Sequence, residues 1–171
     1  MKPFLLTLIL MTTFSAFAQT GSPEEKLKQL GVTLFTPTKP TANYVKAVRT
    51  GNLVFLAGHV SSRGDGSNIF GKVGKDLTVE QGYEAARVTA ISLLSTLKAE
   101  LGELSRVRRI VKVNGMVNCL PDFTEQPKVM NGCSDLLVEV FGERGRHART
   151  AVGMTLPVNY AVEIEMIVEV D

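Results

Sequence analysis

The chain has 171 residues, of which 44% are hydrophobic, and its net charge at pH 7 is +2. A balance of 19 basic against 17 acidic residues argues against a strongly electrostatic binder of nucleic acid or membrane surfaces. The two histidines, His59 and His147, have no ligand spacing with the two cysteines, which argues against a zinc site.

Residues 1–18 have the pattern of a signal peptide. Lys2 precedes an almost wholly apolar run over 4–14, and Ser15–Ala18 supplies small residues at a cleavage site. The run is too short for a comfortable membrane span, and the alternative is an uncleaved N-terminal anchor. We predict cleavage after Ala18, export to the periplasm or the medium, and no stable membrane association afterwards.

Residues 19–43 are predicted to form a short helix and a linker. Ser22 caps the helix, Pro23 occupies its first turn, Glu25 completes a capping box and Gly31 ends it. The proline-rich segment Thr36–Pro40 is expected to be extended.

Residues 44–171 are predicted to form one domain with the order ββ-α-β-α-ββ. This order is typical of an α+β fold, here a mixed sheet with two helices on one face. Both sheet faces carry apolar residues, so the uncovered face favours oligomerisation. The predicted elements are the strands Val45–Arg49 and Leu53–Ala57, a helix from the capping box of Thr78 and Gln81 to Gly102, the strand Arg109–Val117, the helix Pro127–Phe141, and the strands Ala148–Met154 and Ala161–Val170.

The last two predicted strands carry the candidate site. Glu163 and Glu165 alternate with apolar residues and therefore share a face. Strand pairing across the Leu156-Pro157 turn is expected to bring one of these carboxylates near Arg149. An arginine binds a carboxylate through two parallel hydrogen bonds, so the pair predicts a cradle for a small carboxylate substrate.

Several motifs give the chain a family resemblance. They are Ala148–Val152, Leu156-Pro157 and Val162–Glu165, preceded upstream by Tyr44-Val45 and by the segment from Gly51 to His59. Together they resemble the RidA/YjgF family of enamine/imine deaminases over about residues 24–170. The resemblance implies a chorismate-mutase-like fold, usually a homotrimer with active sites in the clefts between subunits.

The resemblance also implies roles for individual residues. Arg149 matches the arginine that grips the substrate carboxylate; the alternative is a salt bridge, for example to Glu143 or Asp135. Glu163 matches an acidic residue that could protonate the enamine carbon or orient the attacking water.

The pocket residues implied by the resemblance are Tyr44 and the backbone of Gly58. Asn131 could correspond to a further polar pocket residue. His59 stands where the family often has glutamine, and it is either a group that titrates near neutral pH or a satisfied packing residue.

The family's active-site cysteine is replaced here by Ala151, which argues against thiol chemistry but leaves attack by water open. Cys119 and Cys133 form the only possible disulfide pair in an exported chain. Cys133 falls on the apolar face of a predicted helix, which favours two unpaired thiols, at least one of them in the core.

The resemblance, together with the predicted signal peptide, thus implies an exported hydrolase that converts small 2-imino or 2-enamino carboxylates to 2-oxo acids and ammonia. Neither a metal nor an organic cofactor is expected, and no nucleic-acid partner is expected either. One alternative is a non-catalytic module that binds a small carboxylate or amine in the same cleft. A further alternative, endoribonuclease activity, is not favoured by the charge balance.

Overall fold

A computed structural model describes residues 21–40 and 42–171. The predicted signal peptide lies outside these residues, so its cleavage stays a prediction. Within the part of the chain that is described, no helix is long and apolar enough to cross a membrane.

The described chain contains three α-helices and five strands, and their bounds differ from the predicted ones by at most a few residues. The helices are α1 (Pro23–Gln29), α2 (Val79–Leu101) and α3 (Gln126–Phe141). The strands are β1 (Ala47–Thr50), β2 (Leu53–Val60), β3 (Val107–Asn118), β4 (Ala148–Met154) and β5 (Val162–Val170).

Both predicted capping boxes form. At the start of α2 the Gln81 N–H donates to Thr78 Oγ1 at 3.2 Å, and the Thr78 N–H donates to Gln81 Oε1 at 2.8 Å. Ser22 and Glu25 make the same reciprocal bonds at the start of α1. Each box satisfies N–H groups that have no partner inside the helix, which fixes where the helix begins.

The five strands form one mixed sheet in the order β1-β2-β5-β3-β4. Only β3 and β4 run parallel, because α3 carries the chain back between them; every other neighbouring pair is antiparallel. The predicted pairing of the last two strands across the Leu156-Pro157 turn is therefore wrong. The chain passes from β4 over β3 and inserts β5 on its far side.

Helices α2 and α3 cover one face of the sheet, as predicted. Gly115 of β3 lies against Met130 of α3, so closely that a Cβ at Gly115 would collide with the methionine. This face holds the core, which includes the fully buried residues Leu93, Leu94, Leu97, Val113, Leu136 and Ile164.

The opposite face of the sheet is left uncovered in the single chain. Four apolar side chains on it are between 38% and 53% exposed, namely Val48, Phe55, Val152 and Met154. They form two groups, Val48 with Phe55 at the β1 edge of the sheet and Val152 with Met154 on β4 at the other edge. Exposed apolar groups of this kind mark an interaction surface. We call these four residues the open-face patch.

Cys119 and Cys133 are both buried and both unpaired. The preference for two free thiols is confirmed. The alternative, a disulfide between the two, does not form.

Candidate functional site

Four of the six predicted site residues line one cavity. It measures about 590 Å³, lies beside the end of β2 and the start of β5, and is lined by Tyr44, Gly58, His59 and Glu163 together with the loop before β1 and the 157–160 turn. This volume is in the usual range for small-molecule sites, about 300–1,000 Å³. Arg149 and Asn131 do not line it.

The carboxyl of Glu163 lies directly over Gly58. The register between β2 and β5 shifts between Leu56 and His59, which identifies a bulge at this point of β2. A Cβ built on Gly58 would collide with the Glu163 carboxyl, so the carboxyl position requires glycine at 58.

Burial raises the pKa of Glu163 above its ordinary value of 4.5, and the negative charge of Glu165 raises it further. Glu165 itself is exposed and accepts a hydrogen bond from Asn114 Nδ2 at 3.3 Å. The two carboxylates share a face as predicted, but only Glu163 reaches the cavity. A carboxyl with a raised pKa can both give and take a proton.

His59 is buried, and both of its ring nitrogens lie within hydrogen-bond distance of protein groups. Nδ1 is 2.7 Å from the Ala57 carbonyl oxygen, and Nε2 is 2.8 Å from Thr96 Oγ1. A carbonyl only accepts, so Nδ1 carries the proton and Nε2 accepts from the threonine. Burial lowers the pKa of His59, and the charge of Lys46 lowers it further. Of the two interpretations of His59, this arrangement favours the satisfied packing residue.

Tyr44 lies at the cavity rim and is 53% exposed. Its hydroxyl is therefore available to a ligand or to a neighbouring molecule rather than committed to the core.

Arg149 is held by α3 on the other side of the sheet. Its Nη1 donates to Asn131 Oδ1 at 2.9 Å and to Ser134 Oγ at 3.0 Å, and its Nη2 donates to the Pro127 carbonyl oxygen at 3.4 Å. All three acceptors are neutral. Asn131 therefore contacts the predicted carboxylate-binding residue rather than the cavity.

No carboxylate lies within salt-bridge distance of Arg149 in the described part of the chain. The two acidic residues proposed as alternative partners are engaged elsewhere. Glu143 pairs with Arg146 at 2.9 Å, and Asp135 accepts a hydrogen bond from the Tyr83 hydroxyl at 3.0 Å. The charge of Arg149 is thus left for another partner.

Sequence reasoning missed Ser134 and His147, which support Arg149 alongside the predicted Asn131. Ser134 Oγ, which accepts from the guanidinium, lies 3.1 Å from His147 Nε2, and His147 Nδ1 lies 2.7 Å from the Gly145 carbonyl oxygen. Because a carbonyl oxygen only accepts, the neutral imidazole carries its proton on Nδ1 and donates it to Gly145. Nε2 is then an acceptor, so Ser134 donates to it. One signal was available, because Asn131 and Ser134 are three apart and so share a helix face.

Arg149 and Glu163 do not meet within one chain. Arg149 pairs with Val113 of β3, whose side chain is in the core, whereas Glu163 pairs with Met116, three residues further on. Residues an odd number apart on a strand point to opposite faces, so the two side chains leave the sheet on opposite sides. Their strands are also separated by β3, about 10 Å in all.

Thiol chemistry has no support at this site. Ala151 occupies the position two residues after Arg149. Cys133 is the thiol whose pKa is affected by the charge of Arg149. It is fully buried, and burial raises its pKa to about 12. The described residues also contain no group of three or more histidine, cysteine, aspartate or glutamate side chains that could hold a metal ion.

Comparison with known proteins agrees with this fold. The family model described as "YjgF/chorismate mutase-like, putative endoribonuclease" matches residues 24–170. The chain belongs to the YjgF/chorismate-mutase-like family. The resemblance inferred from the motifs around Tyr44, Arg149 and Glu163 is therefore confirmed, as is the predicted fold class.

Individual relatives of this YjgF-like chain extend over most of its length. "Protein TCP17" of Trypanosoma cruzi is 43% identical over 153 residues, which cover 88% of this chain and 96% of that protein. A crystal structure of a protein of unknown function from Agrobacterium tumefaciens is 44% identical, with a TM-score of 0.82, covering 87% of this chain and 92% of that one. A crystal structure described as a "putative endoribonuclease", from Shewanella oneidensis MR-1, is 31% identical with a TM-score of 0.84. The match covers 88% of this chain and 100% of that one.

Proposed function

We propose that this protein is an exported enzyme that hydrolyses small 2-imino and 2-enamino carboxylates to 2-oxo acids and ammonia. One observation carries the proposal furthest: Arg149 is oriented by three neutral acceptors and has no carboxylate partner among the described residues. A guanidinium held in this way is prepared for an anion from outside the chain.

The donors that Arg149 retains fit one carboxylate. A guanidinium has five N–H groups, and three are taken by Asn131, Ser134 and Pro127. The Nε–H and one Nη2–H remain. Two N–H groups on adjacent nitrogens of the fork are what bidentate binding of a carboxylate uses.

Glu163 then acts as the general acid and the general base of the reaction. For an enamine, the protonated carboxyl gives its proton to the carbon, which forms the iminium. The Glu163 carboxylate next takes a proton from a water molecule as the water oxygen bonds to the iminium carbon and the C=N π electrons pass to nitrogen. Return of that proton to nitrogen lets the C–N bond break with its electron pair, which releases ammonia. The C=O bond forms as the hydroxyl proton passes to the Glu163 carboxylate, which restores the protonated carboxyl.

A complete site requires two copies of the chain, since Arg149 and Glu163 lie on opposite faces of the sheet. We propose a homotrimer in which the Arg149 of one subunit faces the Glu163 cavity of the next. The open-face patch supports this assembly, because four exposed apolar side chains on one sheet face need cover.

The test measures loss of short-lived imines by the purified chain lacking residues 1–18. An amino-acid oxidase generates the imines in place, and semicarbazide traps what remains. The proposal expects less trapped imine with wild type than with Arg149→Ala or with no protein. Equal trapping across several amino acids would contradict it and would favour the non-catalytic binding module.

The dependence of binding on salt concentration distinguishes the endoribonuclease alternative from the proposed hydrolase. An RNA that neutralises several basic side chains loses affinity steeply as salt rises, whereas a small carboxylate held in a pocket responds mildly. Retained cleavage of RNA by Arg149→Ala would further separate that activity from the site proposed above.

A further inference from the structure

The cavity that holds Glu163 carries more positive than negative charge. Three cationic side chains line it, Lys39, Lys46 and Arg63, and the carboxyl of Glu163 is the one acidic group among its described lining residues. With three cationic side chains against one carboxyl, the cavity presents a net positive surface to a ligand.

Lys46 is the cation in this cavity whose charge is least compensated. Its Nζ donates to Thr38 Oγ1 at 3.3 Å, and no carboxylate of the described residues lies within 4.0 Å of it. Lys46 is partly buried, and this burial lowers its pKa. A half-buried ammonium with one neutral partner favours an anion beside it.

The other two cations of the cavity differ from Lys46 in this respect. Arg63 has Glu84 at 3.7 Å, so its charge is shared with a carboxylate of the same chain. Lys39 is exposed to solvent, which screens its charge.

A backbone hydrogen bond ties residue 46 to the segment of β2 that lies under Glu163. The Ala57 N–H donates to the Lys46 carbonyl oxygen at 3.0 Å, which ties residue 46 to the segment before the bulge at Gly58. The same bulge lies under the carboxyl of Glu163. Lys46 and Glu163 therefore line one cavity from positions that the same short segment of β2 holds in place.

We propose that Lys46 binds a second anionic group on the substrate, so that the preferred substrates are 2-imino or 2-enamino acids with a carboxylate at the end of the side chain. This inference rests on the proposed function, in which Arg149 of a neighbouring subunit holds the other carboxylate. The volume of about 590 Å³ has room for such a dicarboxylate.

The experiment compares two imines and three proteins. An L-glutamate oxidase supplies the dicarboxylic 2-iminoglutarate, and an L-amino-acid oxidase acting on leucine supplies a monocarboxylic imine of similar size. Each imine is given to wild type, to Lys46→Gln and to Lys28→Gln, a control with the same loss of charge at an exposed position on α1. Loss of the charged partner should lower kcat/KM for 2-iminoglutarate about tenfold or more, while the leucine-derived imine stays within about twofold.

A second measurement keeps the inference separate from catalysis. Binding of 2-oxoglutarate and of the leucine-derived 2-oxo acid is measured by calorimetry on the same three proteins. Weaker binding of 2-oxoglutarate alone by Lys46→Gln supports the inference even if no imine is hydrolysed, in which case only the proposed function fails. Equal losses for both ligands, or no loss for either, would overturn it, because Lys46 would then hold the common carboxylate or nothing.

Discussion

The side chains of Arg149 and Glu163 leave the sheet on opposite faces, with β3 between their strands. Arg149 is oriented by α3, and Glu163 lies over the bulge in β2. Two groups placed in this way cannot hold one small molecule within a single chain. The cooperation that we propose for them therefore requires an assembly of chains.

Replacing Arg149 by lysine should lower kcat/KM for imine hydrolysis about tenfold to a hundredfold, since a lysine ammonium cannot copy the two parallel hydrogen bonds of the fork. Arg146→Lys is the matched control, because Arg146 is an exposed partner of Glu143. Steady-state kinetics on both variants check this. Similar kinetics for Arg149→Lys and wild type would remove the carboxylate role from Arg149.

The two carboxylates of β5 should respond very differently to amidation. Glu163→Gln removes the only cavity carboxyl of the described residues and is expected to lower kcat by about a hundredfold or more, in the range of general acid–base effects. Glu165→Gln removes an exposed carboxyl and should change kcat by less than about twofold, as a surface change does. Equal losses at the two positions would contradict the role given to Glu163.

Gly58→Ala should be destabilising because of one identified contact. The added Cβ collides with the Glu163 carboxyl, which is the end of a flexible side chain and can move aside. The expected cost therefore lies at or below the lower end of the about 1–3 kcal/mol typical of overpacking. In a Glu163→Ala background the obstacle is gone, so the same substitution should cost much less. Urea unfolding of the four proteins measures the coupling directly. A full, unchanged cost in the Glu163→Ala background would place the strain of residue 58 elsewhere.

Both histidines should titrate below their ordinary pKa of 6.5. Burial lowers the pKa of His59 and of His147, and the neighbouring charges of Lys46 and Arg149, respectively, lower them further. The folded state then resists protonation more than the unfolded chain does. The contribution of the two neutral histidines to the free energy of unfolding is therefore complete above pH 6.5. It is lost as the pH falls from 6.5 through their lowered folded-state pKa values.

Nitrogen-15 NMR of the imidazoles checks this, because the sequence has only two histidines. Both should show the neutral form with the proton on Nδ1 at pH 7. A midpoint at or above 6.5 for His147 would contradict this expectation, because burial and the charge of Arg149 would then not disfavour its charged form.

The local patterns of the chain predict its elements well. Capping residues such as Thr78 fix helix starts through bonds to residues three positions away, so a short stretch of sequence contains all the information needed. The alternation around Glu163 likewise gives the faces of β5. The motifs around Arg149 and Glu163 indicate the family, and the family in turn predicts the fold.

Strand order is not contained in such patterns. The predicted pairing of β4 with β5 is wrong because β3, which ends 30 residues before β4 begins, lies between them. For the same reason Ser134 was missed and Asn131 was not linked to Arg149, because both lie on a helix that only tertiary packing brings to β4. Lys46 belongs to no recognisable motif. The role proposed for it depends on the groups that surround its ammonium in the folded chain.

Subunit complementation tests the central claim most directly. Arg149→Ala and Glu163→Gln chains are co-expressed with different tags at equal levels, and total protein is assayed for hydrolysis of a leucine-derived imine beside each variant alone. A site shared between neighbouring subunits predicts near-zero activity for each variant and about a quarter of wild-type activity for the mixture, the statistical share of interfaces that combine an intact Arg149 with an intact Glu163. Activity of the mixture no greater than the mean of its parents would contradict a shared site.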